Sequence, residues 1–507
     1  MSNYPLTTVK ELIYRADGMY GDEIFIREYI KKEFRDTSFR AFRKNCDSLA
    51  CWIQAHFEGR AHIALFGATS SEYLTAWFGV QCANCVSVPL DTANSPENIA
   101  DEIARSDSEM VLMDEKHVKD IPLFKERCPK VKYYVHLQKP TEDMLLLADM
   151  IAEYEGRTPA GNVTADDLSA ILFTSGTTGR SKGVMLTHGN LIDNTTCYND
   201  GDFHGCRLIS VLPIHHVYCL TCDILCGGLY GGVTVCVNDS LMHITRNLKL
   251  FKPHYATFVP MISATILAQM KMALKKVPDP RMVAMGVFGE DFHRIYSGGA
   301  YLAPEIIEGY KAFGIEICQG YGMTECSPRI CTGIPNSPKP ESVGKIVDRC
   351  EVKIVEGEIW AKSPSVMKGY YNDPAETKNS LTEDGWLMTG DLGYKDEEGY
   401  LYITGRKKNL IILSNGENVS PEEIENKFAS FLPIKEIVVY ADGEKVTAQV
   451  FPNADYPAEN IEDVIRAEIE RVNQTFMPAK RIVNVIFRDH EFVKTASRKI
   501  IRARIDE

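Results

Sequence analysis

The sequence predicts an α/β chain in two parts: a large N-terminal domain of layered parallel sheets and helices over residues 1–404, and a small α+β domain over 410–507. Three observations carry this. Short apolar strand patterns alternate with helical ones from residue 22 onward, the mark of stacked βα units. The length, 507 residues, allows about two to four domains. Near Gly405 the character changes, and a capped helix start, a hairpin turn and a second helix follow within a compact span.

In chain order, residues 39–57 carry apolar side chains at helical spacing, 62–66 form a short apolar strand, and 73–83 are helical. Strands are expected at 86–89, 110–113, 168–173, 208–212, 233–237 and 255–259. Residues 405–409 read as a linker. Beyond it come a strand at 410–413 and a helix with Ser420 as N-cap, Pro421 in its first position, and Glu422 and Glu423 against its dipole. Asp442-Gly443 suits a hairpin turn, and a helix at 461–471 and a strand at 483–487 close the chain.

Composition limits the functional classes. Hydrophobic residues are 45% and charged residues 25%, which excludes a disordered chain or a fibre. Lys+Arg 56 against Asp+Glu 69 leaves a net charge of −13, so nucleic acid is not the expected partner. The 15 cysteines are odd in number and scattered, which fits reduced thiols better than a disulfide framework. Residues 1–10 lack a charged-then-apolar leader pattern. The most apolar stretch, 217–237, contains Asp223 and two glycine pairs, so it reads as protein core rather than a transmembrane segment. A cytoplasmic enzyme is expected.

The most informative segment runs from Thr174 to Gly183. An apolar strand leads into three glycines, five hydroxyls, Arg180 and Lys182. Glycine/serine/threonine clusters are also common turn signals. Here the strand before the loop and the cations at its end favour a phosphate cradle, in which backbone N–H groups turn toward an anion. It is not a Walker A loop, since the position five after Gly176 is Ser181.

This segment resembles the signature of the adenylate-forming superfamily, and five further motifs follow in that family's order. They are Ser297-Gly298-Gly299-Ala300, Gln319-Gly320-Tyr321-Gly322-Met323-Thr324-Glu325, Thr389-Gly390-Asp391, Gly405-Arg406-Lys407-Lys408 and Lys494-Thr495-Ala496-Ser497-Arg498-Lys499-Ile500. Two positions depart from the pattern: Arg498 stands in place of glycine and Val493 in place of proline.

The resemblance implies a two-step reaction. A carboxylate attacks the α-phosphate of ATP to give an acyl-adenylate and pyrophosphate, and a thiol, usually that of coenzyme A, then takes the acyl group. By the same resemblance Thr174, Ser175, Gly176, Thr177, Thr178, Gly179 and Lys182 would hold the leaving phosphates. Glu325 and Thr174 would ligate Mg²⁺, whose preferred ligands are hard oxygens, with Thr324 beside them. Tyr321 would stack on adenine opposite Gly298, Gly299 and Ala300, with Gln319, Gly320 and Gly322 shaping the same site. Asp391 would accept the ribose hydroxyls, and Arg406 would add a second contact. His215 and His216, with Phe258, Pro260 and Gly322, would line the acid pocket, and His216 is favoured as the pocket histidine. Lys499 would bridge the attacking carboxylate and the α-phosphate. Lys408 would be the hinge of a mobile C-terminal domain, and Ser414 and Gly416 would border a pantetheine tunnel.

Other patterns are weaker. Cys82 and Cys85 have redox spacing, but no second pair completes a zinc set. Cys219, Cys222 and Cys226 read as small buried hydrophobes, and the lysines of 271–276 as a solvated helix end. The segment after the phosphate loop lacks an early acid to pair with an amino-acid ammonium. Amino acids are therefore disfavoured; the apolar run beyond it and the spacing Leu212-Pro213-Ile214-His215-His216 resemble fatty acyl-CoA synthetases, and that resemblance implies a medium- or long-chain fatty acid, with aryl acids behind. A phosphopantetheine carrier protein, as the other thiol acceptor, is expected to act in trans. Two other classes share these motifs: an acyl–carrier-protein ligase, and a non-catalytic nucleotide or acyl binder. The retained Lys499 argues against the latter.

Overall fold

The computed structural model describes residues 5–174, 180–197, 203–335, 337–413, 418–443, 445–494 and 500–506. Two large sheets dominate it. The nine-stranded sheet places Tyr255–Phe258, Arg207–Ser210 and Thr234–Val237 at its centre, with Arg294–Ser297 and Glu316–Gly322 to one side and Ile24–Ile30 to the other. The eight-stranded sheet is built around Leu168–Thr174, Val86–Pro89, His62–Phe66 and Met110–Met113. Strands such as Met110–Met113 are apolar on both faces, as a parallel strand covered on both sides must be. A four-stranded antiparallel sheet, including Glu358–Lys362, Leu387–Lys395 and Leu401–Arg406, follows.

The expected α/β layering is present, but the sheets are mixed rather than purely parallel. Lys182–Thr187 returns antiparallel against Leu168–Thr174, and Arg329–Thr332 returns antiparallel against Glu316–Gly322. Both returns are short connections, which cannot make the long crossover that a parallel neighbour needs. They also sit at the two motifs richest in glycine.

Packing follows the sequence pattern. The helix Phe39–His56 is capped by Ser38, whose hydroxyl accepts from the Ala41 N–H, and it buries Phe42, Cys46, Leu49 and Ile53 on one face. The helix Ser71–Cys82 is buried all round, so its sequence shows no polar face. The apolar stretch expected to be core forms a π-helix, Cys219–Tyr230. It lies close to its neighbours because Gly228 has no side chain: a Cβ there would stand 2.6 Å from the Phe25 ring.

The C-terminal elements have their own hydrophobic cluster, including Val419, Ile424, Phe428, Val439, Val450 and Ile465. Ser420 caps the short helix Pro421–Glu425, accepting from the Glu423 N–H, and Asp442 and Lys445 face each other across the hairpin. The strand expected at 410–413 contracts to Ile411–Ile412. Gly405 and Arg406 still belong to the strand Leu401–Arg406, so only Lys407–Asn409 forms the turn. All fifteen cysteines are free, and no helix of the described residues is long and apolar enough to cross a membrane.

Asp223 is fully buried on the π-helix. Burial pushes its carboxyl up to about 7, against hydrogen bonds from Thr257, Ser210 and Cys219, and Oδ1 has no partner among the described residues. The folded chain therefore holds a proton that the unfolded chain releases above its ordinary value of 3.8. Stability falls as pH rises through that window, by on the order of 2–4 kcal/mol at pH 8. Asp223→Asn should melt higher than wild type at pH 8 and show little gain near pH 4. Melting curves at both pH values test this, and an equal shift at both would contradict it.

Candidate active site

A cavity of about 2540 Å³ opens between the two large sheets, the four-stranded sheet and the C-terminal elements. At one end, Tyr321 on the strand Glu316–Gly322 donates its hydroxyl to Asp391 Oδ2 at 2.7 Å. Arg406 Nε meets the other oxygen, Oδ1, at 2.7 Å. Burial and the Asp391 charge raise the Tyr321 phenol, so it remains a donor. The turn before Asp391 is held by its surroundings: Gly390 N–H donates to Glu358 Oε1 at 3.0 Å, and Lys407 pairs with Glu358 Oε2 at 2.8 Å. Gln319 is braced by the carbonyls of Pro340 and Ser342 at 2.7 and 3.3 Å. Gly298, Gly299, Ala300 and Gly320 line the same end.

The middle of the cavity collects charge. Glu325 is buried, and its Oε1 accepts from the Tyr370 hydroxyl at 2.8 Å. Lys182 is salt-bridged to Glu376 and lies over the Tyr370 ring. Thr174 is the ladder partner of Lys182, and Thr324 opens the short turn that carries Glu325. Lys408 also lines the cavity, its ammonium pushed down by burial and by Arg406.

The other end is lined by the π-helix and the central strands. His216 is exposed to the cavity, and its ring lies 4.2 Å from that of His215. Burial, with the neighbouring His216, pushes His215 down to about 3, so it is neutral at pH 7 although Asp91 lies 3.7 Å away. Tyr218, Cys222, Cys226, Tyr255, Tyr296 and Arg329 complete this end.

Most sequence-selected residues of the described chain meet here, with two corrections. Phe258 and Pro260 do not line the cavity: both are buried, and Phe258 is in the core. Side chains alternate along a strand, so Tyr255, Thr257 and Val259 face the cavity while Phe258 faces away. Ser175, Gly176, Thr177, Thr178, Gly179, Ser414, Gly416 and Lys499 lie outside the described residues. Sequence reading missed Tyr370, Glu376, Glu358 and Arg329. The first three lie in segments with no glycine-rich signature, and only folding brings them in. Arg329 had a signal: a lone charge opening an otherwise buried strand, four residues after Glu325.

Gly322 sits at the junction of the cavity's parts, where a Cβ would fall 1.9 Å from the Pro328 carbonyl oxygen. Gly322→Ala should cost about 1–3 kcal/mol through overpacking. At Gly320 a Cβ would reach only 3.4 Å from the Cys331 carbonyl, and Gly320→Ala should stay within about 0.5 kcal/mol of wild type. Parallel melting curves compare them; equal losses would contradict the assigned clash.

The fold, with a carboxylate and an aromatic ring at one end of the cavity and an acid–lysine cluster beside them, is that of an adenylate-forming enzyme, an AMP-forming acid–thiol ligase. The chain belongs to the AMP-binding enzyme family, which it matches over residues 15–371, and residues 408–507 match the AMP-binding enzyme C-terminal domain. Among curated proteins it is similar to 4-coumarate–CoA ligase CCL1 of Humulus lupulus, 28% identical over 466 residues, which cover 87% of this chain and 83% of that one. It is also similar to 4-coumarate–CoA ligase 3 of Oryza sativa subsp. japonica, 31% identical over 67% of this chain and 64% of that one. Among solved structures, the anthranilate CoA ligase AuaEII with anthranoyl-AMP aligns at a TM-score of 0.86, with 20% identity over 99% of this chain and 98% of that one. That last likeness is one of fold.

Proposed function

We propose that the chain joins a carboxylic acid to the thiol of coenzyme A by way of an acyl-adenylate. In the first step a carboxylate oxygen of the acid attacks the α-phosphorus of ATP, and the bond to pyrophosphate breaks. In the second the thiol sulfur attacks the acyl carbonyl, and AMP leaves. The observation that supports this best is that Tyr321, Asp391, Glu325, Lys182 and His216, drawn from distant parts of the chain, line one cavity.

Each residue has a physical task in that reading. The Tyr321 ring, fixed by its hydroxyl bond to Asp391, offers adenine a face beside Gly298, Gly299 and Ala300. Asp391, fixed by Tyr321 on one oxygen and Arg406 on the other, is a carboxylate acceptor of the kind that would suit the ribose hydroxyls. Lys182 would exchange the Glu376 carboxylate for the more highly charged phosphates. Glu325, with the Thr174 hydroxyl, has the hard oxygens that would hold Mg²⁺, which neutralises phosphate charge when bound. Lys499 would bridge the acid and the α-phosphate. The C-terminal domain from residue 410 would turn about Lys408, placing Ser414 and Gly416 along the path of the pantetheine arm.

The acid moves from the fatty acid expected of the sequence toward an aryl acid. Phe203, Tyr255 and Tyr296 line the inner end, with ring centroids 5.4 and 5.8 Å apart in sequence, and a flat ring packs well on such a row. The curated relatives named above are 4-coumarate–CoA ligases.

Pyrophosphate release from ATP and Mg²⁺ across aryl and fatty acids, with and without coenzyme A, tests the reading. Release with an aryl acid that rises on adding coenzyme A is expected, and release indifferent to it would point to a carrier-protein acceptor. Asp391→Ala should raise the KM for ATP at least about tenfold, since hydrogen bonds to a charged group contribute about 1.5–3 kcal/mol. Lys499→Ala should lose acyl-adenylate formation yet keep thioester formation from supplied acyl-adenylate; equal loss of both steps would contradict the two-position role of the C-terminal domain.

A further inference from the structure

Arg329 opens the strand Arg329–Thr332, opposite Gly322 in the ladder. It lines the inner end of the cavity and is half-buried. Its position is firmly set. The buried Asn194 receives the Arg329 backbone N–H at 3.1 Å and Nε at 3.3 Å on its Oδ1, and Nη2 on its carbonyl oxygen. In return, Asn194 Nδ2 donates to the Arg329 carbonyl at 3.0 Å.

What the guanidinium lacks is a counter-charge. No carboxylate among the described residues pairs with it. Asp193, on the neighbouring helix His188–Thr196, is taken by Arg349 Nε and Ser365 Oγ, each at 2.5 Å. Asp223 on the π-helix faces Thr257, Ser210 and Cys219. The groups nearest Arg329 are the thiols of Cys226, Cys222 and Cys197. Burial pushes Cys222 up to about 12 and Cys197 up to about 11, so neither is ionised at pH 7. Several other cations of the cavity meet a carboxylate: Lys182 with Glu376, Arg406 with Asp391, Lys407 with Glu358 and Arg502 with Glu425.

A guanidinium stays charged in proteins, and burying it without an anion is strongly unfavourable. Here the cavity gives an anion access to it. Its side-chain neighbours are Cys222 and Cys226 of the π-helix wall and Asn194 and Cys197 at the end of the helix His188–Thr196. We propose that Arg329 is a specificity-determining residue that binds a second carboxylate of the acid substrate, so that the enzyme selects acids with an anionic group away from the carboxylate that is activated. This rests on the acid-activating reading above and narrows its substrate class. The planar fork of arginine suits such bidentate recognition.

The test uses matched pairs: aryl and straight-chain dicarboxylic acids of graded length, each against its monoamide, with kcat and KM read from pyrophosphate release. Wild type should favour at least one diacid over its monoamide by at least about thirtyfold in kcat/KM. Arg329→Met should bring that ratio to about one, mainly through the KM of the diacid, and Arg329→Lys should restore part of it. Equal use of diacids and monoamides by wild type, or an Arg329→Met loss that strikes both alike, would overturn the proposal while leaving acid activation intact. No turnover of any acid, aryl, fatty or dicarboxylic, would overturn the acid-activating reading and this inference with it.

Discussion

The cavity depends on one carboxylate held between two donors. Asp391 accepts from Tyr321 on one oxygen and from Arg406 on the other, at 2.7 Å each. Tyr321 belongs to the nine-stranded sheet, whereas Asp391 and Arg406 are ladder partners in the four-stranded sheet. A charge this well buried persists only when its donors are fixed, so the trio ties two sheets together at the mouth of the cavity. Arg406 is also the last residue before the Lys407–Asn409 turn, so the same contact anchors the start of the C-terminal elements.

From that anchor the cavity's electrostatics fall into zones. Around Tyr321 and Asp391 and in the middle, Arg406, Lys407 and Lys182 each meet a carboxylate. The inner end differs: His215 is held neutral, burial raises the Asp223 carboxyl in the π-helix, and Arg329 stands among thiols. The π-helix makes this possible. Its glycines let it lie close against the central strands, so its polar and sulfur-bearing side chains crowd a small volume from which water's screening is reduced.

The residues that meet in the cavity were legible wherever they are adjacent in sequence. Glycine-rich loops beside strands, an acid four residues after a tyrosine, and an arginine–lysine pair all read directly, because local backbone geometry and local chemistry coincide there. The errors came where facing matters. Phe258 and Pro260 looked like pocket residues, yet the alternation of the strand turned Tyr255 and Thr257 inward instead. Tyr370 and Glu376 carry no local signature and gain meaning only opposite Glu325 and Lys182.

By itself the sequence determined the alternation of strands and helices, the order of the motifs and the residue types at each. Hydrophobic period, caps and glycines act over a few residues and so can be read without the fold. Only the tertiary structure decided which sheets are mixed, which face of each strand meets the cavity and which charges find partners. Those depend on long-range register and on burial, and both arise only when distant segments pack. Arg329 shows the difference: as a letter it is one basic residue at the start of a strand, and in the folded chain it is a half-buried charge in a cavity with no carboxylate among the described residues to match it.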